Sequence, residues 1–279
     1  MYRIVEKENL AATIKRIKVE APLVARKTKP GNFVILRIDE TDERIPLTVA
    51  DYDRDKGLIT LIFQEIGYTT TKLGQLKVGD YIKDLVGPLG KHLENIDKYK
   101  KVICIGGGSG TALLYPKVKA FWQNGAEVFT ITGARTKDLV ILEEELRAFS
   151  KDLYITTDDG TYGQQGLVTD ILKKLLQEHP DIDLVVAIGP VPMMKAVVNL
   201  TPPEIKTIVS LNALMVDGTG MCGGCRVTVN GETRFTCVDG PAFDGHQVDF
   251  DELINRLSYY RETEDHLCKL EQLDLEVEK

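Results

Sequence analysis

Two rhythms of apolar and polar positions divide the chain. Over residues 1–97, short runs rich in β-branched and aromatic residues (RIKVEAP, FVILRID, IPLTVADYD, LITLIFQEIG) are separated by turn signals such as KPGN and DRDKG. Short strands at this spacing predict a small antiparallel barrel. Over residues 98–211, strands alternate with helices: KVICIGG, a helix from about Thr111, EVFTITGA, LEEELRAF, LYITTDD, VTDILKKLLQE and DLVVAIGP. Nearly continuous apolar strands interleaved with helices predict a parallel sheet covered on both faces. Residues 212–250 lose both rhythms and become rich in Gly and Cys, as expected where metal bonds rather than a large apolar core hold the backbone. Residues 251–279 are charged, with Leu253, Leu257, Tyr260, Leu267 and Leu270 at helical spacing. That stripe either covers the chain's own domains or docks on a partner. The expected fold class is β + α/β: an antiparallel barrel, a parallel doubly covered sheet, a cysteine-rich loop domain and a terminal helix.

Composition narrows the function. Among 279 residues, 43% are hydrophobic and 28% charged, enough apolar surface to fold without a partner's help. A net charge of −7 argues against nucleic-acid binding, which needs clustered Lys and Arg. The start, MYRIVEKENL, has no apolar signal core, and no stretch approaches the roughly 20 apolar residues that cross a bilayer. A cytoplasmic protein outside the membrane is expected. Three of the five cysteines lie between residues 222 and 237, which in a reducing compartment suggests metal rather than disulfides.

In VDGTGMCGGCRVTVNGETRFTCVDGP the candidate ligands are Asp217, Cys222, Cys225 and Cys237, separated by four, two and eleven residues. This is the plant-type [2Fe–2S] spacing with Asp in the first place. Gly218, Gly220, Gly223 and Gly224 give a backbone free to turn its amides towards sulfur, where they would stabilise negative charge. RVTVNGETRFTC reads as a hairpin turning at Asn230-Gly231, which would return Cys237 to the same site. The competing reading is a zinc site built from Cys222, Cys225, Cys237 and one further ligand. Cys104, inside a predicted strand, reads as an inert buried thiol, and Cys268 lies in the charged tail. An oxygen ligand at Asp217 would shift the potential of a cluster, because it favours the two iron oxidation states differently from thiolate.

Further candidates lie at the ends of strands. Arg44-Ile45-Pro46-Leu47-Thr48 sets a cation and a hydroxyl beside a strand, and Gly67-Tyr68-Thr69-Thr70-Thr71 opens a short helix, whose free amides suit phosphate. Gly106-Gly107-Gly108-Ser109-Gly110-Thr111 follows a strand and starts a helix, where a pyrophosphate can approach the backbone. Asp158-Asp159-Gly160 and Gly189-Pro190-Val191-Pro192-Met193-Met194 follow later strands. Because ligands of open α/β sheets bind at the carboxyl ends of strands, these loops are expected to converge on one crevice.

The order of these motifs, with RxPLT in the barrel, then GGGxGxA-L-YP (Gly106 to Pro116), TGART (Thr132 to Thr136), TDDG (Thr157 to Gly160), GPVPMM and a terminal cluster loop, resembles the ferredoxin-NADP reductase superfamily over nearly the whole chain. Within it the chain is similar to electron-transfer subunits of dihydroorotate dehydrogenase. Those carry four cysteines in the cluster loop. With Asp217 in first place, the loop more closely resembles small subunits of NADH-dependent reduced ferredoxin:NADP oxidoreductases.

The resemblance implies one FAD, one [2Fe–2S] cluster and an NAD(H) site. It also implies a larger partner subunit with a second FAD, two [4Fe–4S] clusters and an NADP(H) site, and a role in electron bifurcation or confurcation. Carried over by position, Arg44, Pro46, Leu47, Thr48, Gln64, Thr69 and Thr70 would hold FAD. Gly106, Gly107, Gly108 and Gly110 would face the nicotinamide cofactor's phosphates, with Arg135, Asp158, Asp159, Gly189, Pro190 and Met193 around its remaining parts. The implied divisions are a FAD-binding barrel (1–97), a nicotinamide-dinucleotide domain (98–211), a [2Fe–2S] segment (212–250) and a C-terminal helix and tail (251–279). No acid–base residue is expected, since hydride transfer between nicotinamide and flavin needs none. Two other readings stay open: a subunit of another two-component oxidoreductase, and a non-catalytic redox sensor.

Overall fold

The computed structural model describes residues 1–259. Tyr260, Leu267, Cys268 and Leu270 lie outside the described residues.

The N-terminal part is a seven-stranded antiparallel barrel. Its strands are β1 (Tyr2–Asn9), β2 (Ile14–Glu20), β3 (Phe33–Arg37), β4 (Ile45–Asp53), β5 (Leu58–Gln64), β6 (Tyr81–Ile82) and β7 (Asp84–Leu89), in the order β6-β1-β2-β5-β4-β3-β7. Only Lys83 separates β6 from β7, so one bent segment pairs with β1 at one end and with β3 at the other, and thereby closes the barrel. Alternation decides the inward face: Ile17 and Val19 of β2 are buried in the barrel core while Lys18 between them is not, and Ile14, on the opposite face, is buried in a second core shared with Val102 and Cys104. Two helices cover the barrel, α1 (Pro22–Lys27) and α2 (Tyr68–Gln75).

Next comes a sheet of parallel strands with helices between them. It contains β8 (Lys101–Gly107), α3 (Gly110–Gln123), β9 (Glu127–Ala134), α4 (Glu143–Ala148), β10 (Asp152–Thr157), β11 (Gln164–Gln165), α5 (Val168–Glu178), β12 (Leu184–Ile188), α6 (Val191–Leu200) and β13 (Lys206–Ser210). In α5 the buried residues are Val168, Ile171, Leu172 and Leu175, a stripe at helical spacing laid on the sheet. Truncating the fully buried Leu172 to Ala would cost about 2–5 kcal/mol. The chain order reverses between β8 and β12, which lie side by side at the centre. Such a switch point opens a crevice beyond the carboxyl ends of the two strands.

The cysteine-rich segment is joined to both parts. A hairpin, β14 (Arg226–Val229) and β15 (Glu232–Phe235), turns at Asn230 and Gly231, both in the left-handed region at φ 53° and 73°. Then β16 (Ala242–Asp244) pairs antiparallel with β13 and becomes the edge of the parallel sheet. The Lys91 amide at the end of the barrel donates to the Gly240 carbonyl at 2.6 Å. Phe33 and Ile35 of the barrel share one hydrophobic core with Phe129 and Val185 of the sheet and with Cys225 and Val227 of the hairpin. Finally α7 (Phe250–Ser258) lies against α6 and β14. Of the terminal stripe, Leu253 is buried in the chain's own core while Leu257 is exposed, so its first turn covers the molecule itself.

Candidate functional site

The switch point brings together two of the predicted loops. A Cβ on Gly107 would lie 2.4 Å from Met193 Sδ, and one on Gly189 would lie 3.1 Å from Gly107 Cα. At Gly110, the first residue of α3, a Cβ would meet the Ile188 carbonyl oxygen at 2.5 Å. The glycines are what let α3 begin this close to β12, where the Thr111 and Ala112 amides donate to the Gly108 and Ser109 carbonyls, each at 3.1 Å. Gly108, at φ 55°, donates its amide to the Gly133 carbonyl at 2.8 Å, which ties the loop to the end of β9.

Two further predicted elements meet each other beside it. Asp158 and Asp159 donate their amides to the carbonyls of Ala134 and Arg135 at 3.1 and 3.3 Å. Asp159 Oδ1 accepts from the Thr161 hydroxyl and amide at 2.7 and 3.0 Å, and this hydrogen bonding holds its carboxyl below the usual carboxylate range. Arg135, Asp158 and Asp159 are exposed, free to meet a ligand lying over the sheet end.

On the barrel, Pro46, Leu47 and Thr48 of β4 stand opposite Ile35, Val34 and Phe33 of β3. The start of α2 lies next to the start of β4: Thr69 Oγ1 donates to Glu43 Oε1 at 2.6 Å, and Thr70 Oγ1 accepts the amides of Ile66 and Gly67, each at 3.1 Å. The Glu43 carboxylate is thus tied to the start of α2, and Arg44 follows it in the chain just before β4. Gln64 ends β5 and its Nε2 reaches Thr13 Oγ1 at 3.5 Å.

The cysteine loop gathers its candidates as two pairs. The Cys225 and Cys237 sulfurs are 3.2 Å apart and buried, brought together by the hairpin register. Two thiolates on one tetrahedral metal at about 2.3 Å would stand roughly 3.8 Å apart, a small opening from here. Burial and the neighbouring Cys225 thiol push the Cys237 thiol upwards, a cost that a coordinated cation removes by stabilising the thiolates. The second pair is Asp217 and Cys222: the carboxylate accepts the Thr219 amide at 2.8 Å and the Cys222 amide at 2.7 Å. These amides, Thr219's foremost, hold the Asp217 carboxyl below its usual range, so it is an anion ready to ligate.

Two donor pairs, one for each of two irons, are what a binuclear cluster takes, and Asp217 with Cys222 and Cys225 with Cys237 fit that group. Gly218 (φ 72°), Gly220 (φ 84°) and Gly223 (φ 68°) all occupy the left-handed backbone region. Gly218 also lacks a Cβ where one would lie 2.5 Å from Ile35 Cδ1 and 3.0 Å from Leu89 Cδ1, so the loop rests directly on β3 and β7.

Comparison with known proteins bears on this arrangement. Residues 212–249 match the family described as the iron–sulfur cluster binding domain of dihydroorotate dehydrogenase B. Over 265 residues the chain is 46% identical to a dihydroorotate dehydrogenase B (NAD(+)) electron transfer subunit homolog of Thermotoga maritima, covering 95% of this chain and 93% of the relative. It is 32% identical over 254 residues to the electron transfer subunit of dihydroorotate dehydrogenase B (NAD(+)) from Fusobacterium nucleatum, covering 88% and 96%. The chain belongs to the family of these electron transfer subunits.

Its structure matches a chain of the NADH-dependent reduced ferredoxin-NADP oxidoreductase, solved in a study of flavin-based electron bifurcation, with a TM-score of 0.93, 43% identity and 98% of each chain covered. At 20% identity and a TM-score of 0.59, a cytochrome P450 reductase from Amycolatopsis shares the fold of barrel and sheet over 74% of this chain and 68% of its own. This family member is therefore an oxidoreductase subunit with the reductase fold and an iron–sulfur cluster-binding domain, and its relatives are subunits of two-component enzymes, which implies a larger partner. Among the described residues no helix is long and apolar enough to cross a membrane.

Three features escaped the sequence reading. Lys117, in the middle of α3, is fully buried beside Cys104. Arg226 and Arg256 grip the cysteine loop from outside. Spacing gives no sign of these contacts: those of Lys117 and Arg256 depend on tertiary packing, while that of Arg226 reaches back only three residues.

Proposed function

We propose that this chain carries electrons between NAD(H), FAD and a [2Fe–2S] cluster, and exchanges them with a larger flavin- and [4Fe–4S]-containing subunit in an NADH-dependent reduced ferredoxin:NADP oxidoreductase. The observation that carries the proposal is the seat of the cluster loop on the barrel. Gly218 touches Ile35, and Ile35 is the cross-strand partner of Pro46, a residue assigned to FAD. One β-strand thus separates the proposed flavin site from the proposed cluster site.

Bound flavin supplies the conversion between a hydride's electron pair and single electrons. The chain's own residues bind and position. Arg44, Thr69, Thr70 and the first amides of α2 hold the FAD phosphates, with Pro46, Leu47, Thr48 and Gln64 along the cofactor. Gly106, Gly107, Gly108 and Gly110 admit the nicotinamide cofactor's pyrophosphate to the start of α3. Arg135, Asp158, Asp159 and the Gly189-Pro190 and Met193 positions flank its other parts. Asp217, Cys222, Cys225 and Cys237 ligate the cluster. We divide the chain accordingly at 1–97, 98–211, 212–250 and 251–279, and place its work in the cytoplasm.

The partner is supported by the surface around the loop. Leu214, Val216, Met221 and Val238 are all exposed, Met221 by 88%, and Val216 and Val238 lie against Gly224 and Gly220 of the loop. An apolar rim around a redox centre suits a protein partner, which would exclude water from the exit.

Spectra of purified protein before and after NADH test the reading. Flavin bands with a broad thiolate-to-iron absorption, both bleached by NADH, are expected, and co-purification should bring down a subunit with [4Fe–4S] clusters. A colourless, zinc-containing protein would refute it.

A further inference from the structure

The turn Cys222-Gly223-Gly224-Cys225 is held from outside by two arginines from different elements. Arg226 Nη1, at the start of β14, donates to the Gly223 carbonyl at 3.2 Å. Arg256 Nη2, from α7, donates to the Gly224 carbonyl at 3.2 Å. Each carbonyl shares a planar trans peptide with the next amide, so the two ends point in opposite directions. Thus the peptide whose carbonyl meets Arg226 presents the Gly224 amide to Cys222 Sγ at 3.5 Å. The peptide whose carbonyl meets Arg256 likewise turns the Cys225 amide away from the arginine.

Neither Gly223 nor Gly224 has a side chain to restrain it, so the outside contacts add to the Gly224 amide's bond to Cys222 Sγ in fixing the orientation of the two units. Guanidinium stays charged throughout the working pH range, and its fork suits carbonyl oxygen. Both grips also place positive charge one peptide away from the sulfurs.

We infer that Arg226 and Arg256 are positioning residues that raise the reduction potential of the cluster. They act by turning two peptide N–H dipoles towards its sulfurs and by adding two nearby positive charges. Reduction adds one electron and no proton, so the reduced form is one charge more negative and gains more from dipoles and cations than the oxidised form does. The inference rests on the reading of this loop as a [2Fe–2S] site.

The test is a redox titration of the full-length, cluster-loaded chain, followed by the electron-paramagnetic resonance signal of the reduced cluster, in wild type, Arg226→Gln, Arg256→Gln and Arg256→Lys. Both Gln variants are expected to have lower midpoints. At the wild-type midpoint, their ratio of oxidised to reduced cluster should rise about tenfold, equivalent to about 59 mV for a one-electron couple. Arg256→Lys, which keeps the charge and one donor, should recover part of the shift; a role in packing alone would not order the three variants this way. Loaded Gln variants with the wild-type midpoint would overturn the inference. If Arg256→Gln fails to load, the exposed Arg226→Gln decides by the same criterion. A wild-type chain without a [2Fe–2S] signal would instead overturn the cluster reading, and this inference with it.

Discussion

Asp217 Oδ2 accepts the amide of Cys222 at 2.7 Å, so the first and second candidate ligands are already joined before any metal is considered. A cysteine at 217 offers a softer donor to the same iron and loses the carboxylate's amide bonds. Asp217→Cys is expected to keep the cluster while moving its midpoint and its thiolate-to-iron absorption. A redox titration and visible spectrum identical to wild type would show that Asp217 is not a ligand.

Gly218 sets the contact between the cluster loop and the barrel. Its φ of 72° acts against any side chain, and so does Ile35 Cδ1, which would lie 2.5 Å from a Cβ at this position. Gly218→Ala should destabilise the fold by about 1–3 kcal/mol and lift the loop from β3 and β7. Denaturant unfolding gives the first quantity, and iron content with electron transfer from NADH to the cluster gives the second. Unchanged stability and transfer would mean that this contact does not set the route.

Gly110 tests the nucleotide assignment separately. The obstacle to its Cβ is the Ile188 carbonyl, which is main chain in a central strand and has little room to yield. Gly110→Ala should therefore shift the start of α3 and weaken NADH on the order of tenfold, about 1.4 kcal/mol, with flavin content unchanged. Titration of NADH against flavin bleaching measures both. An unaltered NADH affinity would remove the start of α3 from the binding site.

How much was legible in the sequence depended on whether the signal was local. Runs such as LITLIFQ and LVVAI are buried nearly throughout and announce their strands by composition alone. The return of Cys237 to Cys225 was legible because an Asn-Gly turn fixes hairpin register. By contrast, β1 buries only Ile4 of its eight residues, and its charged neighbours hide the strand. The closing segment Tyr81–Leu89 is interrupted by Gly87 and Pro88, which read as a turn yet sit within β7. Gly218 was recognisable as a flexible position, but its reason, Ile35, lies far away in the chain. Leu253 illustrates the same limit: helical spacing shows that a stripe exists, while only the neighbouring α6 shows which surface it covers.

Lys117 gives a prediction that does not involve the cofactors. Its side chain is 1% exposed, its amine lies beside the Cys104 thiol, and its hydrogen bond is a long one of 3.5 Å to the Leu113 carbonyl. Burial lowers the amine's pKa to about 8, with Cys104 opposing the shift weakly. In the unfolded chain a lysine titrates near about 10.4. Between these values the unfolded state binds more protons, so stability should rise as pH increases from about 8 to about 10, and be lowest at and below pH 8. Lys117→Met keeps the length of the side chain without the charge. It is expected to stabilise the protein at pH 7 by about 1–3 kcal/mol and to flatten this part of the pH profile. Denaturant melts at pH 7, 8, 9 and 10 decide the matter: parallel profiles for variant and wild type would show that the buried amine does not control stability over this range.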